Sequence, residues 1–201
     1  MINCGMCELI YETLANPRFA DEQRVHELCL VHIGSLACED AQGLKRLLSL
    51  DCPVRILASM RRFKTNSTVQ ATGLRAIAAM SCKGVSCVQE FISFGAYDHV
   101  SRCLRMSNRD VHFYALVAMS SLANNDGGGA FTKSGACDII LKMLPSALPR
   151  LMMPMLDCMY ALGRLMGQFK AAVMYILSRQ YDDPKIHKRA VVVASLLGLN
   201  P

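Results

Sequence analysis

Apolar residues recur at helical spacing in a segment that the chain repeats. In residues 111–123 they stand at steps of three and four, the spacing of one broad buried helix face. The same pattern returns at residues 25–37, 69–81, 154–166 and 186–198. The first four segments in chain order start at residues 25, 69, 111 and 154, so their steps are 44, 42 and 43 residues. A long helix at this period is typical of a helical solenoid.

Two shorter helices are predicted between one long helix and the next. Polar clusters suited to cap a helix precede long helices at residues 66–68 and 107–110. Pro145, Pro149 and Pro154 are expected to make the fourth unit the least regular. The predicted helices cover residues 3–15, 21–38, 39–49, 52–62, 66–81, 85–93, 96–106, 111–123, 136–144, 154–166, 168–179 and 183–199, with a brief helix before Ser134. The last step, from residue 154 to 186, is only 32 residues, which indicates that one short helix is missing there.

These elements predict a single all-α domain over residues 1–201, a solenoid of about four to five units whose last unit is truncated. The expected divisions are a capping helix at 1–20, repeats at 21–66, 67–110, 111–153 and 154–182, and a terminal helix at 183–201.

Composition favours a protein that buries apolar surface against a partner. Hydrophobic residues make up 52% of the chain and the mean hydropathy is +0.25. No run reaches the roughly 20 apolar residues that a transmembrane helix needs, so no transmembrane segment is predicted. The net charge of +6 is dispersed along the chain rather than clustered, which disfavours nucleic acid as a partner.

Ten cysteines fall mostly within apolar helical patterns, where a free thiol packs as a small hydrophobe. Glu8 and Glu12 interrupt the first helix, so no secretory signal is visible, and a reducing intracellular compartment is expected. Cys4 and Cys7 form a lone CxxC pair without the second pair of a structural zinc site or the βαβ context of a redox motif. We therefore predict no metal, no cofactor, no small-molecule substrate and no catalytic residues.

The repeat resembles the armadillo family. The resemblance rests on Gly95–Ala96 and Gly135–Ala136 at the turn before the middle helix, on Val69–Gln70, and on residues 115–122, which look like that family's third-helix signature. It implies a right-handed superhelix in which the third helix of each unit lines a concave groove. A HEAT-like geometry remains an alternative where the array is irregular.

The resemblance also allows a test of the groove. In the importin-α branch a Trp, followed four residues later by an Asn, holds the backbone of a basic peptide. The Trp position falls here on Val31, Arg75, Val117, Tyr160 and Val192, and the Asn position on Ser35, Ala79, Ser121, Arg164 and Leu196. None of these is Trp or Asn, and the two arginines would repel a basic peptide. These groove residues instead suit an apolar helix or an acidic segment.

The terminal helix is the second candidate binding surface. Its apolar side chains go almost all the way round: Val191, Val192, Val193, Leu196, Leu197 and Leu199. Terminal repeats need a polar outer face to stay soluble. This end is therefore expected to dock on another chain, or to be covered by a continuation of its own.

The function predicted from these observations is a non-catalytic scaffold, a structural subunit that mediates protein–protein interaction within a larger assembly of other protein subunits. The alternative is an adaptor that reversibly captures an acidic or amphipathic segment in the concave groove. The predicted location is cytoplasmic, including cytoskeletal or ciliary, with a mitochondrial complex as the alternative.

Overall fold

The computed structural model describes residues 5–83, 85–126, 128–163, 167–179 and 181–199. Thirteen α-helices and no strand occur in these residues. The helices are α1 Gly5–Ala15, α2 Gln23–Glu39, α3 Ala41–Ser49, α4 Cys52–Arg62, α5 Ser67–Ser81, α6 Val85–Ser93, α7 Ala96–Cys103, α8 Arg109–Asp126, α9 Gly129–Lys133, α10 Ala136–Met143, α11 Pro149–Leu162, α12 Phe169–Leu177 and α13 Pro184–Leu196. None of them combines the length and hydropathy that crossing a bilayer requires.

The long helices stack side by side in chain order. Helix α2 packs on α5, α5 on α8, α8 on α11, and α11 on α13. Two short helices connect each of the first three pairs, whereas α12 alone lies between α11 and α13. The fold is therefore an all-α solenoid, as the periodicity predicts, and its last step is one helix shorter.

The core is built from the same positions of each long helix. One such position is fully buried in four successive helices, as Leu30, Leu74, Leu116 and Met159. The position three residues later is fully buried in five, as Ile33, Ile77, Met119, Leu162 and Ala194. Because these two positions are one helical turn apart, they form the stripe along which neighbouring helices pack.

Asparagine side chains begin two of the stacked helices, as the polar clusters predict. Asn66 Oδ1 accepts a hydrogen bond from the Val69 amide at 2.9 Å at the start of α5. Asn108 Oδ1 accepts from the Val111 amide at 3.1 Å at the start of α8. Each cap satisfies an amide that has no partner within its own helix.

The turn before the middle helix requires a left-handed backbone in every complete unit. Gly95 and Gly135 hold this position with φ of 77° and 72°. In the first unit Asp51 stands there with φ of 53°, the only described non-glycine residue at positive φ. Glycine adopts this conformation without a Cβ clash, and aspartate is one of the few other residues that tolerate it.

Several predicted helix ends are wrong. Helix α8 continues through Asn125, because the Asn125 amide group donates to the Ser81 carbonyl 3.0 Å away and ties the last turn of α8 to α5. Helix α11 begins at Pro149, and Pro154 lies buried inside it rather than at its start. A proline at the first helical position needs no amide partner, so Pro149 starts the helix instead of breaking it.

The ends of two further helices also differ from prediction. Helix α7 ends at Cys103 rather than at Met106, and α13 ends at Leu196 rather than near Leu199. After α13, Gly198 adopts positive φ, which is a common way for a helix to stop.

Candidate partner-binding groove

The side chains that sequence reasoning assigns to the groove fall on the stacked helices α2, α5, α8, α11 and α13, with varied exposure. The first row consists of one position on each of these helices: Val31, Arg75, Val117, Tyr160 and Val192. Arg75, Tyr160 and Val192 are exposed, while Val31 and Val117 are half-buried. We call this row, with the two rows defined below, the groove face.

The second row is less accessible. Ser35, Ser121 and Leu196 are half-buried and Ala79 is buried. Arg164 lies outside the described residues. The described second-row side chains are therefore less accessible than Arg75, Tyr160 and Val192 of the first row.

A third row, three residues before the first, was missed by the sequence analysis. It consists of Leu28, Thr72, Tyr114, Asp157 and Arg189. Leu28 is 45% exposed, more than any apolar side chain of the first row. The signal was available, because these residues share the repeat spacing of the first row and residues three apart lie on the same helix face.

Contacts between α11 and α13 show that the rows share one surface. The Arg189 guanidinium pairs with the Asp157 carboxylate at 2.8 Å. It also lies over the Tyr160 ring, 4.4 Å from the ring centroid. A cation in this position is attracted by the face of the ring. The ion pair and the ring contact fix Arg189 and Tyr160 relative to one another.

A cleft opens between the first halves of α5 and α8. Its volume is about 410 Å³. The residues that line it are Ser67, Thr68, Ala71, Thr72, Arg75, Asn108, Asp110 and Tyr114. They include members of the first and third rows, so the cleft is part of the groove face.

Two acidic side chains at the groove face form ion pairs, whereas one basic side chain there does not. The Asp110 carboxylate is held by Arg150 at 2.6 Å, and the Asp157 carboxylate by Arg189. Among the residues that the structure describes, Arg75 has no carboxylate partner, although it is exposed in the same cleft as Asp110. The unbalanced charge at the cleft is therefore positive.

The apolar C-terminal end is covered to a greater extent than the sequence predicts. Val193 and Leu197 are buried, and Val191, Leu196 and Leu199 are half-buried. The cover comes from α11 and α12, which both pack on α13.

Gly163, directly after α11, lies close to the end of α13. A Cβ at this glycine would lie 3.3 Å from Leu196 and from Leu197. Val192, 43% exposed, is the exception among the six predicted end residues, and it also belongs to the first row of the groove face.

A polar position inside the stack is occupied by side chains that could be mistaken for catalytic or metal-binding residues. His26 and Gln70 occupy equivalent positions of α2 and α5, and each reaches back to the carbonyl seven residues earlier. His26 Nε2 lies 3.2 Å from the Phe19 oxygen, and Gln70 Nε2 donates to the Phe63 oxygen at 3.0 Å. These side chains therefore join each long helix to the segment before it, which is a structural role.

The buried thiols are poorly suited to nucleophilic or redox chemistry. Burial raises the pKa of Cys52, Cys87 and Cys103 to about 12, so these thiols stay protonated at neutral pH. In the described ranges no three His, Cys, Asp or Glu side chains gather closely enough to hold a metal ion. Cys4, one half of the CxxC pair, lies outside them.

No protein-family model and no curated protein sequence matches this chain. Solved structures match it over most of its length. An engineered protein of the Northeast Structural Genomics Consortium aligns with a TM-score of 0.81 at 14% identity, covering 95% of this chain and 78% of that one. A designed armadillo repeat protein in complex with the peptide (KR)4 aligns with a TM-score of 0.79 at 15% identity, covering 94% and 80%. A computationally designed armadillo repeat protein for modular peptide recognition aligns with a TM-score of 0.75 at 16% identity, covering 95% and 81%.

These likenesses establish the fold. The chain is an armadillo-like α-solenoid, so the fold class predicted from the periodicity and the turn glycines is confirmed. At 14–16% identity the likeness shows architecture rather than a shared ligand.

Proposed function

We propose that this protein is a non-catalytic protein-binding scaffold that holds a segment of a partner protein on its groove face. The observation that carries the proposal is the repetition of exposed large apolar side chains at groove positions: Leu28 on α2, Tyr160 on α11 and Val192 on α13 are 45%, 38% and 43% exposed. Tyr160 and Val192 lie on helices that pack together, whereas Leu28 lies nearer the other end of the stack. Grouped apolar exposure marks an interaction site more often than isolated residues do.

The comparisons support a protein partner in general terms. One similar structure is titled as a complex with the peptide (KR)4, and another as a design for modular peptide recognition. The groove face of this chain differs in charge from one that would attract a basic peptide, because Arg75 is exposed at its cleft. Like charges brought together at an interface oppose binding, so an apolar or acidic partner segment is the better match.

A second candidate function is permanent membership of a multi-protein assembly through the C-terminal end. Its support is that Met174 and Tyr175 on α12 are 45% and 37% exposed, in addition to Val192 on α13. Helices α12 and α13 pack together, so these side chains belong to one end of the stack. A stable subunit would bury this end, whereas an adaptor would leave it in contact with water.

Site-specific photo-crosslinking in a gentle cell lysate separates the two. A photo-reactive phenylalanine analogue replaces Tyr160 for the groove face or Met174 for the end. Lys142 on α10, which is exposed and belongs to neither set of residues, serves as the control. Adducts from position 160 that exceed those from position 142 support the groove proposal. Adducts confined to position 174, together with a native size far above the 22.1 kDa chain, support the assembly role instead. Equal yields at all three positions would exclude both.

A further inference from the structure

We infer that the cleft between α5 and α8 binds the carboxylate of an Asp or Glu residue in an extended partner segment, with apolar side chains three residues to either side. The inference rests on the proposed function, since it names the partner chemistry of the same groove face. It is carried by the charge pairing, by the lining of the cleft and by the spacing of the stacked helices.

Charge pairing singles out Arg75. Of the residues that line the cleft, the other charged one is Asp110, which pairs with Arg150 at 2.6 Å. Arg75 is exposed and, within the described ranges, has no acidic partner. The Arg75 guanidinium is therefore available to bind a carboxylate from a partner. Arginine is well suited to supply the counterpart, because its planar fork can bind a carboxylate through two parallel hydrogen bonds.

The lining of the cleft is polar enough to receive a carboxylate. Ser67, Thr68 and Tyr114 bring hydroxyl groups to its wall. The Thr72 hydroxyl is already used, because it donates to the Thr68 carbonyl at 2.9 Å. A carboxylate bound by Arg75 would thus meet hydroxyl donors rather than an apolar wall, so its desolvation would be compensated.

The helices on either side of Arg75 determine which residues should flank the acidic residue of the partner segment. On one side, α2 presents Leu28 and Val31, and on the other, α8 presents Val117. Adjacent packed helices lie about 8–10 Å apart, and an extended chain rises about 3.3 Å per residue. A segment that crosses the helices therefore advances about three residues from one helix to the next. The expected motif is apolar–x–x–acid–x–x–apolar.

A labelled synthetic peptide tests this motif directly. Its core is Leu-Ser-Ser-Glu-Ser-Ser-Leu, which has the same spacing in both chain directions, and its binding to the full chain is followed by fluorescence anisotropy. We expect Arg75→Glu to weaken binding at least tenfold. Arg105→Glu makes the same change of charge at an exposed site outside the cleft lining, and it should alter affinity less than twofold. Circular dichroism establishes that both variants are folded.

Three further peptides sharpen the test, with Lys in place of Glu, with Gln in place of Glu, and with both Leu residues moved. Replacing Glu by Lys should abolish binding to the parent chain and restore it with Arg75→Glu, which a merely structural role for Arg75 would not produce. A peptide of the same composition with both Leu residues moved next to Glu should bind at least fivefold more weakly. The inference is overturned if the core peptide does not bind, if a Gln peptide binds as well as the Glu peptide, or if Arg75→Glu has no effect.

Failure of the inference and failure of the proposed function give different results. A partner adduct at position 160 without binding of the acidic peptide overturns only the acid-centred motif, and leaves an apolar helix as the occupant of the groove face. The absence of any groove adduct overturns the proposed function itself, and the inference with it.

Discussion

At the scale of single residues, His99 has its protonation state fixed by the side chains around it. Gln70 Nε2 donates to the Met60 carbonyl at 2.7 Å, so Gln70 Oε1 is the acceptor that faces His99 Nε2 at 2.8 Å. Nε2 must therefore carry the proton, and Nδ1 accepts from Arg102 at 3.2 Å. Burial, assisted by Arg102 and then Arg61, lowers the pKa of His99 to about 4.

This buried imidazole should make the protein less stable in mild acid. Between pH 6.5 and 4 the unfolded chain binds a proton at His99 that the native state does not, so stability falls as the pH falls. The loss is about 1.4 kcal/mol per pH unit within this window. Because the unfolded imidazole is only half protonated at pH 6.5, urea unfolding at pH 6.5 and 5.0 should differ by about 1.5 kcal/mol from this group alone.

The variant His99→Gln removes the titration and keeps a side chain that can donate to Gln70. It should flatten the pH dependence by that amount. An identical pH slope in parent and His99→Gln would show that His99 is not the responsible group. Its role was not visible in the sequence, because Gln70 lies 29 residues away and only folding brings the two together.

At the scale of elements, glycines set how closely two long helices approach their neighbours. A Cβ added at Gly34 of α2 would lie 3.6 Å from the Ala76 Cα of α5, which is an ordinary contact. A Cβ added at Gly73 of α5 would lie 2.5 Å from Met60 Cγ of α4. Met60 is fully buried, so it would have to shift within the packed interior.

The two glycines should respond to alanine in opposite directions. Gly34→Ala is expected to stabilise the protein by about 0.5–1 kcal/mol, because alanine loses less backbone entropy in a helix and its methyl group fits. Gly73→Ala is expected to destabilise it by about 1–3 kcal/mol through overpacking against Met60. Thermal or urea unfolding measures both. Stabilisation by Gly73→Ala would mean that the Met60 side chain can adopt another position at little cost.

Most elements were predictable, because each long helix carries its own 3.6-residue apolar pattern. Asn66 and Asn108 could be identified from local sequence because a capping side chain bonds to amides within three residues of it. Pro154 misled the prediction, since local propensity disfavours proline in a helix and only the packing of α11 on α8 outweighs it. The extension of α8 to Asn125 depends likewise on a bond to Ser81, 44 residues earlier.

At the scale of the whole molecule, the stack is one-dimensional. Helices α5 and α8 each have a long helix on both sides, whereas α1 and α13 close the two ends of the described array. In such arrays stability is approximately the sum of repeat and nearest-neighbour terms, so the ends open first.

Native-state hydrogen exchange should therefore be graded along the chain. Amides of α5 and α8 are expected to exchange most slowly, and those of α1, α12 and α13 at least tenfold faster. Mass spectrometry of peptic fragments resolves these regions. Uniform protection from end to end would show instead that the solenoid opens only as one cooperative unit.

The groove positions were predictable to the extent that the repeat register is regular. The positions of Val31, Arg75 and Val117 follow from steps of 44 and 42 residues. The pairing of Arg189 with Asp157 does not, because the last step is 32 residues and its geometry depends on the path of α12. The cleft likewise arises from side chains on two helices, and no single segment contains its pattern. The binding role of these positions stays a prediction.

Tyr160 also has an optical consequence. The chain contains no tryptophan and six tyrosines, so its intrinsic emission comes from tyrosine alone. Tyr160 is 38% exposed and lies under the Arg189 guanidinium. Tryptophan at this position would be the single long-wavelength emitter of the molecule, next to a cation that can quench or shift its fluorescence. Binding of a partner at the groove face would then change the emission spectrum of this tryptophan, with no label attached to either protein.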